Sequence, residues 1–312
     1  MIDAVTAPEL VLHHYPRSPF AEKIRVAFGL KRLRWRSVVQ PRIAPKPQLI
    51  PLTGGYRRTP VLQIGADIYC DTACILAELE ARFAAPTLYP AGTRGHADIF
   101  AAWADRTLFR AALGLVFGLN GARFPPELHA DRASFTAGRF DGWDSAKMQA
   151  QLPALREEFR VHLRRIDDGL DGRAFLLGAD PSLADLAIYH PLWYARENLG
   201  EAEGLEHHPR VLSWMDRMAA IGHGALEEMS PDDALDIARN AQPAPASGTA
   251  GDDHPWKPGM QLSVTPTDWG FDTVIGEFIS AGPNRLALRR HDPAVGAVVV
   301  HFPRAGFAIA QV

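Results

Sequence analysis

The order of short apolar segments in residues 9–90 constrains the fold of this chain more than any other feature of its sequence. Apolar residues recur with the period of a strand in some segments and with the period of a helix in others. The pattern predicts a strand, a helix, a strand, two more strands and a helix, at residues 10–14, 19–28, 35–39, 60–64, 66–70 and 71–83. This β-α-β, then β-β-α order predicts a small sheet with helices packed against it.

The apolar pattern changes twice after residue 90. Residues 96–240 have helical spacing, and within them Ser182 and Asp185 stand three apart before an apolar run, as in a capping box. Residues 240–253 are rich in Pro, Ala, Gly and Ser, which is typical of a flexible linker, and about five short strands follow. We therefore expect folded parts at residues 8–90, 91–240 and 254–312, with a linker at 241–253.

Composition excludes several classes of protein. The 33 basic and 36 acidic residues give a net charge of −3, which offers no sign of a nucleic-acid partner. No apolar run approaches the roughly 18–20 residues that span a bilayer, and the first ten residues lack the pattern of a signal peptide. We therefore expect a cytoplasmic protein with no membrane partner. Cys70 and Cys74 are too few for a disulfide framework and are predicted to fill the core.

Ser18 poses the main functional question in the sequence. It directly precedes Pro19 at the start of the first predicted helix, where a serine hydroxyl is a common N-cap. A hydroxyl at a helix N-terminus can also hydrogen-bond an anionic ligand. Both roles stay open at this stage. Tyr15, three residues earlier, is the other hydroxyl that could act in place of Ser18.

Four stretches, in this order, resemble the cytosolic glutathione transferases: "YPRSPFAEKIRVAF", "RRTPVLQIG", "CDTACILAELEARF" and "SLADLAIYHPLW". The resemblance covers residues 10–230. It implies an α+β multidomain fold, in which a thioredoxin-like N-terminal domain precedes an all-α glutathione-transferase-like domain. The strands after residue 253 then form an additional small all-β, barrel-like module that most such proteins lack. We expect this module to pack on the helical domain or on a partner subunit.

The resemblance implies a role for each matched residue. Ser18 would donate a hydrogen bond to the glutathione sulfur and favour its thiolate. Thr59 and Pro60 would form a cis peptide whose backbone pairs with the cysteinyl unit; a trans peptide at the start of a strand is the alternative. Asp71 and Thr72 would bind the γ-glutamyl end of glutathione, or would simply cap a helix. The family usually has glutamate where this chain has Asp71.

Arg58 is the remaining residue predicted to bind glutathione. Together with Arg17 and Arg57, it is a candidate for holding the glycyl carboxylate or an anionic co-substrate. Glutathione is therefore the expected co-substrate. We predict no metal site, because the histidine pairs at 13–14 and 207–208 do not have the arrangement of zinc ligands.

The expected function is that of a glutathione transferase, an enzyme that activates glutathione as a thiolate for attack on a small hydrophobic electrophile. Ser18 stands where the related "CPFAE" turn has cysteine, so thiol–disulfide reduction is disfavoured. The alternative is a low-turnover glutathione-binding protein whose β module contacts a partner. The resemblance also implies a homodimer and a role in detoxification.

Overall fold

The computed structural model describes residues 9–90, 92–139, 141–245 and 254–312. Most of the predicted linker, residues 246–253, lies outside the described residues. The chain divides into two compact units. The first, here called the sheet unit, comprises Met1–Pro16, Leu33–Glu78 and Ala225–Val312. The second, the helical unit, comprises Arg17–Arg32 and Leu79–Gly224.

The strands of the described residues form one ten-stranded sheet in the sheet unit. Their bounds are β1 (Val11–His14), β2 (Arg34–Val39), β3 (Val61–Ile64), β4 (Asp67–Cys70), β5 (Ala225–Glu228), β6 (Gln261–Pro266), β7 (Val274–Ala281), β8 (Arg285–Asp292), β9 (Gly296–Pro303) and β10 (Phe307–Gln311). The order across the sheet is β10-β6-β7-β8-β9-β4-β3-β1-β2-β5. Strands from both ends of the chain therefore share one sheet.

The N-terminal strands have the thioredoxin-like arrangement expected from the sequence. β1 and β2 are parallel, and the chain between them contains helix α1 (Pro19–Leu30). β3 is antiparallel to β1, and β4 is antiparallel to β3. Short strand β5, inside the stretch predicted to be helical throughout, extends this sheet in parallel with β2.

The five C-terminal strands form the additional β module. β6 to β9 follow one another as an antiparallel meander, and β10 returns to pair with β6. The expected packing of this module on the helical domain or a partner is wrong in one respect: β9 pairs in parallel with β4 and so continues the N-terminal sheet. An edge strand carries unpaired N–H and C=O groups, and pairing with β9 satisfies those of β4.

One hydrophobic core serves the N-terminal strands and the β module together. Its members include Tyr56, Ile68 and Cys70 from the first part of the chain and Phe278 and Phe302 from the last part. Each of these side chains is at most 2% exposed. The module therefore shares a core with the strands that it extends.

Helices make up the helical unit, with three more in or entering the sheet unit. The sheet unit contains α2 (Ile50–Thr53), the start of α3 (Thr72–Arg82) and α11 (Pro231–Asn240). The helical unit contains α1, α4 (Arg94–Trp103), α5 (Phe109–Asn120), α6 (Pro126–Thr136), α7 (Ser145–Ala150), α8 (Leu152–Gly169), α9 (Leu183–Leu199) and α10 (Pro209–Ala220). A π-helical turn, Ala104–Leu108, joins α4 to α5. No helix among the described residues is long and apolar enough to cross a membrane.

The predicted capping box at the start of α9 is confirmed. The Ser182 N–H and Oγ donate to Asp185 Oδ2 at 2.9 and 2.7 Å. The Trp214 indole and the Leu176 N–H both donate to Asp185 Oδ1 at 2.9 Å. Burial raises the pKa of Asp185, although these hydrogen bonds act in the opposite direction. Four neutral donor groups thus hold this buried carboxyl.

Candidate functional site

Ser18 begins α1 as its N-cap, with extended backbone. Its Oγ accepts a hydrogen bond from the Ala21 N–H at 3.2 Å, and its carbonyl accepts one from the Glu22 N–H at 3.0 Å. Pro19 occupies the first helical position, where an N–H would have no partner within the helix. The capping bond uses a lone pair of Oγ, so the hydroxyl proton can still be donated. Capping by Ser18 is therefore compatible with ligand binding.

An ion pair between a buried lysine and a partly exposed aspartate holds α1 in the helical unit. Lys23 is 1% exposed and donates to the two carboxylate oxygens of Asp105 at 3.0 and 2.8 Å. His190 Nε2 lies 2.9 Å from the same carboxylate. Burial by itself would raise the pKa of Asp105, but Lys23 and His190 lower it below its usual value. Burial lowers the pKa of His190, so the network consists of a cation, an anion and a neutral imidazole.

Asp105 lies in the π-helical turn between α4 and α5. Such turns insert an extra residue into a helix and are frequent at functional sites. The rings of Phe20 and His190 lie 4.7 Å apart, and that of Phe109 lies 4.8 Å from Phe20. The turn thus joins Asp105 to an aromatic cluster that includes the second residue of α1.

The Thr59–Pro60 peptide is cis and directly precedes β3. This is the isomer that the resemblance implied, and the trans alternative is wrong. Pro60 is buried, whereas Thr59 is partly exposed. Backbone pairing of Thr59 with a ligand stays a prediction.

Asp71 and Thr72 form the start of α3. Asp71 has φ +74°, a left-handed conformation that aspartate adopts more readily than most residues. Its Oδ1 accepts the Ala73 N–H at 2.9 Å, and its carbonyl accepts the Ile75 N–H at 3.0 Å. Thr72 is 4% exposed. Asp71 is therefore a helix cap, as one interpretation predicted, and the cap occupies one of its two carboxylate oxygens.

Arg58, expected at a glycyl carboxylate, lies against the C-terminal module. Its guanidinium donates to the Asp268 carboxylate and to the Trp269 carbonyl. It also lies 5.8 and 5.9 Å from the ring centroids of Tyr56 and Trp269. The neighbouring Arg57 Nε donates to Asp272 at 3.2 Å. The charge of Arg58 is thus matched by a carboxylate of the protein itself.

Burial makes the two cysteines unsuitable as nucleophiles. Cys70 and Cys74 are free and at most 2% exposed, which confirms their prediction as core residues. Desolvation raises the pKa of both thiols well above the usual value. Neither forms a thiolate at neutral pH, and a thiol is a poor nucleophile. Tyr15, the other hydroxyl considered for the site, lies in the sheet unit, where its ring centroid is 5.8 Å from Lys46 Nζ.

Sequence reasoning could not identify Asp268, Trp269 or Asp272 as partners of the two arginines. Arg58 and Asp268 are 210 residues apart, and no spacing rule relates positions at that distance. The near balance of charge within the module is the only signal, and it names no partners. Asp105 and His190 were missed for the same reason, since Asp105 contacts Lys23 across 82 residues of sequence and His190 contacts Asp105 across 85.

Two family models match the chain. The model described as glutathione S-transferase, N-terminal domain, matches residues 12–87, and that described as glutathione S-transferase, C-terminal domain, matches residues 149–217. A search of curated proteins gives no significant match.

Solved structures extend the likeness over nearly the whole chain. A GST-like protein from Pseudomonas syringae is 40% identical, with a TM-score of 0.77, and the match covers 98% of this chain and 100% of that one. A glutathione S-transferase from Rhodospirillum rubrum F11 is 24% identical over 68% of this chain and 88% of that one, with a TM-score of 0.54. A rice glutathione transferase, solved in complex with glutathione, is 23% identical over 74% of this chain and 94% of that one, with a TM-score of 0.52. Together with the two family models, the 40% identity over the full length shows that this chain belongs to the glutathione S-transferase family.

Proposed function

We propose that this protein is a glutathione transferase that binds glutathione, stabilises its thiolate with Ser18 and directs it at a small hydrophobic electrophile. The observation that carries the proposal is the Ser18 hydroxyl, which caps α1 through its oxygen and retains a proton to donate. The nucleophile then belongs to glutathione. The two cysteines of the chain are buried thiols with raised pKa values and do not compete for this role.

One serine hydroxyl at a helix N-terminus can supply the free energy that thiolate formation requires. A free thiol with a pKa near 8.5 is mostly protonated at pH 7, and lowering that pKa by about 2 units requires about 2.7 kcal/mol. A hydrogen bond to a charged group contributes about 1.5–3 kcal/mol. The N-terminus of a helix such as α1 adds about 0.3–1 kcal/mol for a nearby anion. The sum covers the requirement without a second catalytic group.

Glutathione itself would be held by residues of the sheet unit. The backbone of Thr59, before the cis Pro60, would pair with the cysteinyl unit. The first turn of α3 would bind the γ-glutamyl carboxylate through Thr72, with Asp71 as counter-charge to the α-amino group. Arg58 already has a carboxylate partner in Asp268, so a role at the glycyl carboxylate requires it to accommodate a second one.

Two substitutions of Ser18 separate capping from catalysis. Ser18→Ala removes both functions, whereas Ser18→Asp keeps a good N-cap but replaces the donor with a negative charge. We expect both variants to lose at least about tenfold of the rate of conjugation of a reactive aryl halide, because a hydrogen bond of about 1.5 kcal/mol or more is lost. Glutathione affinity should stay nearly intact. If Ser18→Asp keeps the wild-type rate, the hydroxyl acts only as a cap.

Asp71→Asn tests the binding residues. Asparagine keeps the helix cap and tolerates the left-handed backbone, so the substitution removes the charge and little else. We expect glutathione affinity, measured by titration calorimetry and by retention on immobilised glutathione, to fall by about 10-fold or more. Asp236→Asn, at an exposed residue of the same unit, is the matched control. Unchanged affinity in Asp71→Asn would remove this residue from the site.

The alternative is a glutathione-binding protein with little turnover. Retention on immobilised glutathione without conjugation of any electrophile in a broad panel would favour it. A homodimer, a cytoplasmic location and a role in detoxification belong to the enzyme hypothesis and stay predictions.

A further inference from the structure

We propose that the C-terminal β module is a brace for the glutathione-binding segment, in which Asp268 and Asp272 act as positioning residues for the Thr59–Pro60 turn. The inference rests on the proposed function, because that function assigns glutathione to this segment. It gives the module a role inside the protein rather than as a surface for a partner. Contacts from three parts of the module carry the argument.

The first contact joins two carboxylates of the module to the two arginines that directly precede the cis peptide. Asp268 and the Trp269 carbonyl accept from Arg58, whose side chain is 11% exposed. Asp272 accepts from Arg57, whose side chain is 13% exposed, at 3.2 Å. Arg57 and Arg58 are the two residues that precede Thr59. Two adjacent cations are therefore fixed by one short segment of the module, immediately before the backbone that is proposed to pair with glutathione.

The second contact fixes the rest of the same loop. Tyr56 is 2% exposed, and its ring lies 5.8 Å from Phe302 and 6.3 Å from Phe307. Gly54, with φ +77°, lies against Arg290, and a Cβ at this glycine would clash with the guanidinium. A larger residue at position 54 would displace the module side chain. The loop before the cis peptide is thus packed on the module through an aromatic ring and a close backbone approach.

The third contact fixes the strand and helix on either side of Asp71. β9 pairs with β4, which ends one residue before Asp71, and the Val299 N–H donates to the Ala66 carbonyl at 3.0 Å. On α3, Glu78 is 5% exposed and forms an ion pair with Arg285. Both segments that are proposed to hold glutathione are therefore attached to the module.

A competing interpretation makes Asp268 an internal competitor for the ligand. On that view its carboxylate occupies Arg58, which a glycyl carboxylate would otherwise bind, and removing it should tighten glutathione binding. The shared core and the β4–β9 pairing favour the brace, because they make the module a fixed part of the sheet and not a detachable cover. The two interpretations predict opposite changes in glutathione affinity when the Asp268 carboxylate is removed.

The test is Asp268→Asn/Asp272→Asn in the full-length chain, with Glu277→Gln as the matched control. Glu277 belongs to the same module and forms an exposed pair with Arg289 at 3.5 Å. A ligand's apparent affinity falls in proportion to the population of the binding-competent state, so a loop that is ordered about a tenth of the time binds about tenfold more weakly. We therefore expect about tenfold weaker glutathione binding by calorimetry and a raised KM for glutathione. The value of kcat at saturating glutathione should change little, because Ser18 is untouched.

Hydrogen exchange without ligand provides a second readout. Amides of residues 52–59 should exchange faster in the double variant than in the wild type, whereas Glu277→Gln should leave them unchanged. Equal exchange in the double variant and the wild type would contradict the proposal that the module positions this loop. Unchanged or tighter glutathione binding in the double variant would also contradict it. If the wild type does not bind glutathione, the proposed function fails, and amide exchange of residues 52–59 still decides whether the module positions this loop. If the double variant does not fold, Asp272→Asn alone provides the same two measurements, because that carboxylate is 41% exposed.

Discussion

Two networks of buried polar side chains, one in each unit of this protein, are stabilised in opposite ways. In the sheet unit, His13 on β1 is fully buried between two amides: its Nε2 lies 2.9 Å from Gln63 Oε1, and Gln40 Nε2 lies 3.2 Å from its Nδ1. In the helical unit, Lys23 is equally buried, but its partner is the Asp105 carboxylate, which also contacts His190. One network is neutral and the other is charged.

The Gln63 amide fixes the protonation of His13. Its nitrogen donates to the Gly65 and Ala234 carbonyls at 3.0 and 2.8 Å, so its oxygen faces His13 and accepts from Nε2. Nδ1 is then the acceptor of the Gln40 amide. Desolvation lowers the pKa of His13 to about 4, against the hydrogen bond to Gln63, which raises it. A buried histidine among amides stays neutral, whereas a buried lysine needs a carboxylate to stay charged.

The largest expected effect breaks the charged network. Asp105→Asn leaves the Lys23 ammonium buried without a counter-charge, and removing one partner of a buried pair typically costs about 3–5 kcal/mol. We expect the free energy of unfolding, measured by urea denaturation, to fall by about this amount. Asp141→Asn removes the carboxylate of an exposed pair in the same unit, with Lys147 at 2.9 Å, and should change stability little. Similar losses in both variants would mean that Lys23 is hydrated in solution.

The neutral network should show itself as a dependence of stability on pH. His13 has a lower pKa folded than unfolded, so its contribution is complete above pH 6.5 and is lost as the pH falls towards 4, because only the unfolded chain binds the proton. The loss should reach about 2 kcal/mol at pH 5. The wild type should therefore lose this much more stability than His13→Asn between pH 7 and pH 5.

His207→Asn, at a side chain that is 75% exposed, is the control for this pH dependence and should follow the wild type. Equal slopes in wild type and His13→Asn would contradict the neutral network. In that case the Gln40 oxygen, which has no hydrogen-bond partner among the residues that the structure describes, has turned to accept from a protonated ring.

The smallest expected effect concerns a buried carboxyl held by neutral donors alone. Ser182→Ala removes one hydroxyl from Asp185 and leaves the Trp214 and backbone donors in place. We expect a loss of about 1 kcal/mol, as for other N-cap serines. Thermal unfolding of Ser182→Ala and Asp105→Asn, measured side by side, would compare the stability lost with a dipolar contact and with an ionic contact in the same unit. A loss equal to that of Asp105→Asn would remove the distinction between the two kinds of network.

Local features of the structure could be predicted from the sequence because each depends on a few neighbouring residues. The apolar period predicts α8 and the C-terminal strands, the Ser182–Asp185 spacing predicts a cap, and Ser18–Pro19 predicts the start of α1. Strand β5 was missed because four mostly exposed residues, Ala225–Glu228, carry no alternation of apolar and polar side chains.

In the candidate site, too, the features that depend on neighbouring residues could be predicted and the others could not. The cis peptide at Thr59–Pro60 and the cap at Asp71 were accessible from the sequence, because each belongs to a short motif. The partner of Arg58 was not, because it lies on the far side of the linker and in another module. A guanidinium beside a loop pairs with whichever carboxylate the fold brings to it.

The sequence by itself thus determined the family, the order of β1, α1, β2, β3, β4 and α3, and the place of Ser18 directly before α1. The tertiary structure decided that β9 lies beside β4, that Asp268 holds Arg58, and that Lys23 meets Asp105. The physical reason is the separation in sequence between the residues that interact. Helix periods, turns and caps depend on residues a few positions apart, whereas strand neighbours and buried charge pairs depend on which distant surfaces close on each other when the core forms.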